Sequence, residues 1–442
     1  MIRRIDARKA EGRKALETLR AALGAEQGMI SGAGAPGDAE AAVRGILDDV
    51  RTRGDAAVCE WTRKFDRADV RPAALRVPAA AIDAAFKSMP REFIATLTRI
   101  RDSVRRFQRH ILLGDSKPLK RGGRSLRLLR RPMDRVGVYV PGGKAFYPST
   151  VLMTAVPALV AGVPQVAVAC PPSAGGDIHP AVLATCRVAG VKEIYRMGGV
   201  QAIGAFAYGT QAVRPVEKVV GPGNLYVQLA KKMVFGTVAI DSFAGPSEVV
   251  VLADGSADAR LIAADLLSQA EHDPGSAILI TPSAKLADAV IAETEKQVAG
   301  LSRAAATRAA LEKYSAVVVV ADMKAAVEQT NLIAPEHLEI QTKSPEAVLR
   351  KIRNAGAVFL GRWTPVAVGD YVAGPSHTLP TGGTARWASG LTANDFLRSM
   401  SVTEYDGSAL AADGVDLFRM AEIEGLTAHA MSVLKRLKDE ET

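Results

Sequence analysis

A chain of 442 residues is too long for one ordinary hydrophobic core, so two or three domains are expected. Its 48% hydrophobic and 23% charged residues match a globular chain and exclude a disordered one. The three cysteines, Cys59, Cys170 and Cys186, lie far apart with no Cys-x-x-Cys pair, which argues for a reducing compartment and against a thiolate zinc or iron–sulfur site.

The first twenty residues are charged throughout and show no signal-peptide pattern, so a cytoplasmic location is expected. Residues 5–23 read as a helix. Within the following small-residue loop, Gly32-Ala-Gly-Ala-Pro-Gly37 fits Gly-x-Gly-x-x-Gly. No strand precedes it, Pro36 sits inside it, and Asp38 looks like the N-cap of a helix over 39–53. It is therefore rejected as a dinucleotide fingerprint. Residues 80–109 supply more helix. Segment 101–135 holds twelve Lys/Arg against three Asp, the whole of the net charge of +9. No nucleic-acid-binding motif accompanies it, so a solvated face or an oligomer rim is the better reading, with no nucleic-acid partner expected.

At Val136 the texture changes. β-branched runs at 136–140, 166–170, 193–197, 218–220, 248–252, 277–280, 316–320 and 357–360 alternate with helical patterns. Those patterns fall at 152–161, 181–189, 200–208, 261–272, 287–298, 305–314 and 345–354. An uncharged stretch between Lys144 and Asp177 is broken by Pro157, Gly162 and Pro164 into a βα unit, too short for a membrane span. Repeated βα alternation predicts parallel sheets covered on both faces. The run divides near 240–245. The expected fold class is α/β: two Rossmann-like parallel-sheet modules with an N-terminal helical layer and a C-terminal helical tail. The boundaries are drawn at 1–130, 131–243, 244–380 and 381–442. After residue 360 the chain becomes a long Pro- and Gly-rich loop. Residues 414–438 return to helix, broken at Glu424-Gly425, and are too few to form a core of their own.

Chemistry-bearing residues collect at element ends. Gln269 and His272, three apart at the end of one helix, share a face and suit a divalent metal of borderline softness; a capped helix end with a satisfied His is the alternative. Glu336 and His337 are adjacent and offer two proton-transfer groups of different intrinsic pKa. Asp370 lies in Val-Gly-Asp-Tyr, and Glu424 and His429 flank the tail break. Gly-rich turns follow or open strands at Pro141-Gly-Gly143, Gly198-Gly199, Gly221-Pro-Gly-Asn224 and Ala244-Gly-Pro-Ser-Glu248. Their backbone N–H groups can hold pyrophosphate or ribose.

Several segments, in this order, carry a resemblance. They are Val136-Gly-Val-Tyr-Val-Pro-Gly-Gly143, Gly198-Gly-Val-Gln-Ala-Ile203, Gly221-Pro-Gly-Asn224, Ala244-Gly-Pro-Ser-Glu248 and Asp265–His272. Ala334-Pro-Glu-His-Leu338, Gly369-Asp-Tyr371, Leu379-Pro-Thr381 and Glu424-Gly-Leu-Thr-Ala-His429 follow. From about residue 101 onward the chain resembles the histidinol dehydrogenases, zinc- and NAD-dependent enzymes of the last steps of histidine biosynthesis. It is also similar to family relatives that oxidise other alcohols, which leaves a non-imidazole substrate as the alternative.

The resemblance implies four-electron oxidation of L-histidinol to L-histidine through a bound aldehyde. It places one Zn2+ per subunit on Gln269, His272, Asp370 and His429. It makes His337 the base and Glu336 the group that activates water. Substrate contacts fall on Ser247, Gln269, His272, His337, Asp370, Glu424 and His429, and NAD contacts on Tyr139, Gln201 and Asn224. Module 131–243 would then be the NAD side and 244–380 the zinc and substrate side. The resemblance also implies a domain-swapped homodimer whose tail, 381–442, completes the partner's site. His377, a loop histidine outside the motifs, receives no role.

Overall fold

The computed structural model describes residues 2–31, 37–142, 146–243, 245–272 and 275–439. Most of the 32–37 loop, Gly143, Ala244 and the helix-stopping pair Asp273-Pro274 therefore lie outside the described residues.

Two parallel sheets dominate. The first is built from β4 (Arg135–Tyr139), β5 (Gln165–Cys170), β6 (Glu193–Arg196), β7 (Lys218–Val220) and β8 (Ala239–Ile240), in the order β6-β5-β4-β7-β8. The second contains β9 (Ser247–Ala253), β10 (Gly275–Thr281), β11 (Ala316–Val319), β12 (His337–Gln341) and β13 (Ala357–Leu360), in the order β11-β10-β9-β12-β13. Both are wound alike: the first strand of each module is central, and the chain reverses direction across the sheet between its first and fourth strands.

Period-two alternation feeds a separate core on each face. In the first sheet Val136, Val138, Val168 and Ile194 enter one cluster, while Tyr139, Ala167, Ala169 and Tyr195 enter the other. In the second sheet Val249, Val251 and Leu279 face one way, and Val250, Leu252, Ile278 and Leu338 the other. With both faces buried, the strands read as nearly unbroken apolar runs, which is why they were legible. The helices Gly37–Arg53 and Asp55–Asp66 cover one face of the first sheet, and Ala79–Ser88 and Arg91–Ile111 the other. No helix is long and apolar enough to cross a membrane among the described residues. All three cysteines are free of disulfides; Cys170 and Cys186 are buried as small apolar fillers, whereas Cys59, expected to be buried too, is half-buried.

The first 130 residues are not all helical, and that expectation is corrected at both ends. β1 (Arg3–Asp6) pairs in parallel with β11 and completes the edge of the second sheet. The helix expected from residue 5 starts only at Ala10 (Ala10–Ser31). Near the other end, β2 (Leu119–Arg121) and β3 (Arg124–Pro132) join β14 (Leu397–Tyr405) in an antiparallel ribbon. Most of the basic segment is thus a helix and a ribbon strand. The ribbon also corrects the picture of 381–442 as purely helical. Two further helices, Leu225–Val234 and Met323–Ile333, fill βα connections that the periodicity left open. The tail folds as Gly407–Ile423 and Thr427–Asp439, with Gly425 in the left-handed region at φ 69° between them.

Candidate active site

At the first sheet the candidate residues follow the C-terminal ends of strands. Tyr139 ends β4, Gln201 lies in the first turn of the helix Gly199–Tyr208 after β6, and Asn224 caps the helix Leu225–Val234 after β7. The Tyr139 phenol accepts a hydrogen bond from Gly199 N at 3.2 Å. The Gln201 side chain is wholly buried, yet neither its amide oxygen nor its amide nitrogen has a partner. A buried amide with both polar atoms unmet is costly unless a ligand meets it. The Asn224 oxygen is committed to the cap, accepting from Val227 N at 3.1 Å.

Gly221 holds this edge together. Its φ is 122°, and a Cβ there would run into the Tyr139 carbonyl. Its N–H donates to Asp241 at 2.7 Å, and Asp241 is paired with the fully buried Lys231. Lys231 Nζ also donates to the Gly221 carbonyl at 3.0 Å and to Ser242 O at 3.1 Å. One buried cation therefore fixes the glycine turn and the start of the link to the second module.

At the second sheet the residues gather at the opposite, N-terminal edge. Ser247 opens β9, His337 opens β12, and Glu336 immediately precedes it. Gln269 and His272 lie where the helix Ala259–Ala270 ends and turns toward β10. That helix starts on an Asp258 cap and closes on Glu271, so it begins and ends two residues earlier than the pattern implied. Gly275 opens β10 so close to the helix end that a Cβ would strike the Gln269 carbonyl. Asp370 comes from the last turn of the helix Val366–Tyr371, which runs back to this edge from the end of β13.

Glu336 and His337 are almost fully buried. Glu336 Oε2 accepts from Ser247 Oγ at 2.6 Å and from Glu248 N at 3.0 Å. Loss of solvent pushes its pKa up to about 8, against the pull of those two donors. His337 Nδ1 lies 3.1 Å from the Glu248 carbonyl oxygen. A carbonyl can only accept, so Nδ1 carries the proton and Nε2 keeps its lone pair. That Nε2 is buried without a hydrogen-bond partner, 3.9 Å from Asp370 Oδ1. Desolvation lowers the His337 pKa more than Asp370 raises it, so the ring is held neutral. Asp370 in turn is raised by desolvation, despite His337 and His272 nearby.

The motifs left His377 aside; the structure puts it here. Its Nδ1 lies 3.2 Å from the Asp370 carbonyl, and with His337 and Asp370 it lines a cavity of about 430 Å³. Desolvation holds its pKa down to about 4. Ser376 beside it donates to Met153 O at 2.9 Å, docking this loop on the first module. Glu248 was also missed. It closes the motif Ala244-Gly-Pro-Ser-Glu248 and opens the run Val-Val-Val-Leu, but received no role.

Of the four side chains expected to hold a metal, Gln269, His272 and Asp370 reach this edge. The donors are imidazole nitrogen and amide or carboxylate oxygen only, a set that fits a borderline divalent cation. No three of His, Cys, Asp or Glu close around one point among the described residues. The fourth side chain, His429, is exposed on the tail, as is Glu424, and both line a shallow groove formed by the tail alone.

A family model described as histidinol dehydrogenase matches residues 33–437. The chain belongs to the histidinol dehydrogenase family. It is 53% identical over 391 residues to a histidinol dehydrogenase of Rhodopirellula baltica, covering 88% of this chain and 85% of that one. It is 48% identical over 400 residues to one of Synechococcus, covering 90% and 92%. The crystal structure of a histidinol dehydrogenase from Elizabethkingia anophelis superposes with a TM-score of 0.89 at 35% identity, covering 92% of this chain and 94% of that one. As a histidinol dehydrogenase family member the chain is an oxidoreductase of histidine biosynthesis, on a fold of two like-wound parallel sheets.

Proposed function

We propose that this chain oxidises L-histidinol to L-histidine in two NAD-linked steps at the N-terminal edge of the second sheet. One observation carries the reading: a buried, neutral His337 with an unpartnered Nε2, beside a buried Glu336 whose pKa is raised toward neutrality. When bound, Zn2+ on Gln269, His272, Asp370 and His429 of the partner subunit supplies a fixed positive point for substrate nitrogens, and NAD accepts hydride.

The chain's own residues then do the following. His337 Nε2 takes the alcohol proton in the first oxidation, since Nδ1 is committed to the Glu248 carbonyl. Glu336 takes a proton from the water that adds to the aldehyde, and a pKa near the working pH suits that task. Ser247 holds Glu336 in place and stands next to the substrate. Tyr139, Gln201 and the Gly221–Asn224 turn hold NAD at the facing edge of the first module, where the unmet Gln201 amide finds its partner. Burial of both reacting groups keeps the aldehyde from water until Glu336 admits one molecule.

The site needs a second copy of the chain, and the assembly is a homodimer with exchanged tails. The tail carries Glu424 and His429 and exposes Val415, Met420 and Ile423, the last at 73%. Its recorded polar ties to the rest of the chain include Arg124 Nε to Asp413 Oδ2 at 2.9 Å, on the ribbon rather than at the site. An apolar helix pair left open in one copy suits a partner's surface.

Activity is tested by following NADH absorbance with L-histidinol and NAD, with and without a chelator; absence of any turnover in the metal-loaded protein refutes the reading. The tail is tested by mixing inactive His429→Ala and Asp370→Ala chains under conditions that exchange subunits. Crossed tails leave one intact site in each mixed dimer, so a substantial fraction of activity returns. Verified exchange with no recovery refutes the crossing.

A further inference from the structure

The residue on which both reacting groups rest is one the chemistry has not used. Glu248 is the second residue of β9 and is 3% exposed. Parallel pairing sets His337 opposite Val249, which brings Glu248 alongside Glu336. Its backbone N–H donates to Glu336 Oε2 at 3.0 Å, and its carbonyl accepts from His337 Nδ1 at 3.1 Å. Its carboxylate accepts from Glu336 N at 3.2 Å and from Gly382 N at 3.0 and 3.1 Å. Gly382 opens the turn that follows Thr381, and Thr381 receives the N–H of Gly245. One residue thus joins the ends of β9 and β12 and the loop closing over them.

N–H donors facing a carboxyl favour its ionised form, here against the burial that disfavours it. Among the described residues no ion pair reaches it, and its donors are backbone N–H groups. We propose that Glu248 is a positioning residue of this active site, fixing Glu336 and the Gly382 turn through its carboxylate and the His337 tautomer through its carbonyl. The proposal rests on the roles given to Glu336 and His337 above.

The charge has a consequence for Glu336. The titratable and polar groups facing Glu336 are Glu248 and Ser247 from β9, His337 from its own strand, and Asp370 from the helix Val366–Tyr371. Glu248 is itself pushed up to about 8, by desolvation first and by Glu336 second. Two adjacent buried carboxyls do not ionise together easily, so the pair titrates as a unit.

The test uses the metal-loaded dimer and two variants. Glu248→Gln keeps the shape and loses the charge. Glu248→Asp keeps the charge and shortens the reach to Glu336 N and Gly382 N. For Glu248→Gln, zinc content and the KM for histidinol should stay within about twofold, while kcat falls roughly ten- to a hundredfold. The acid limb of the aldehyde-oxidation profile should move to lower pH. For Glu248→Asp, kcat should fall while that limb stays in place. In a Glu336→Gln background, Glu248→Gln should add little to the loss in aldehyde oxidation, because it acts through Glu336. Wild-type kcat in Glu248→Gln overturns the proposal, as does parallel loss of zinc, KM and kcat with an unmoved profile. If Glu248→Gln does not fold, Glu248→Asp decides: unchanged kcat overturns the proposal. Should Glu336→Gln itself leave aldehyde oxidation intact, the fault lies with the role of Glu336 and not with Glu248.

Discussion

The two sheets share a strand order and differ in the edge they put to use. The first presents strand C-termini and helix N-termini: Gly199 and Asn224 begin helices, whose free N–H groups and positive dipole ends suit a pyrophosphate. The second presents strand N-termini and helix C-termini. Gln269 and His272 lie at the end of one helix and Asp370 in the last turn of another, where dipole and carbonyls favour a cation. One winding thus yields one edge whose polarity suits an anion and another whose polarity suits a cation. Fold alone does not locate a site; the polarity of the edge does.

The sharpest way to break this division is at the second edge. His337→Asn should slow alcohol oxidation by about 10²- to 10⁴-fold. Glu336→Gln should slow aldehyde oxidation far more than alcohol oxidation, measured as separate half-reactions. Equal losses in both steps would undo the assignment of one proton to each residue. Chelation should stop turnover while NADH binding, followed by its fluorescence, and far-UV circular dichroism stay nearly unchanged. Loss of NADH binding on chelation would mean that the edges are not independent.

At the first edge, Lys231→Met removes the cation and leaves Asp241 buried and unpaired, so a loss of about 3–5 kcal/mol is expected in urea unfolding. Gly221→Ala should cost less, about 1–3 kcal/mol, because a Cβ must be carried at φ 122° against Tyr139. Both should weaken NADH binding and leave zinc content alone.

A further effect is in pH. In the chelated protein, Glu336 and Glu248 have folded pKa values raised to about 8 from 4.5. Their contribution to stability is therefore full below pH 4.5 and is lost as pH rises to about 8. Glu336→Gln removes one of the two groups, so its urea midpoint should fall less between pH 5 and 9 than that of the parent. An identical fall would show that Glu336 ionises freely.

Much of this was legible in the sequence because both sheets are buried on both faces, so Val249–Ala253 or Ala316–Val319 stand out as apolar runs. The candidate positions Ser247, Gln269, His272, Glu336, His337 and Asp370 were legible as motifs in a fixed order, and the structure brings them to one edge. The ribbon was not legible. Arg124–Pro132 interleaves Leu with Arg, reads as a charge run, and pairs along its whole length only with β14, hundreds of residues later, β2 covering just three residues. Nor was β1, four residues with one buried isoleucine among charges. The place of His377 depends on a loop docking on Met153, which no local pattern encodes.

β1 also sets an order of events. Arg3 donates to the carbonyl of Ser315, 312 residues further along the chain. Translation at ~5–20 residues per second separates these two segments by roughly a quarter of a minute to a minute. Throughout that interval the opening strand has no sheet to join, while the first module, encoded in between, can already close around its own cores. The second module is thus completed by the oldest residues of the chain together with much younger ones, and a bulky group fused ahead of Ile2 would act on the last module to finish.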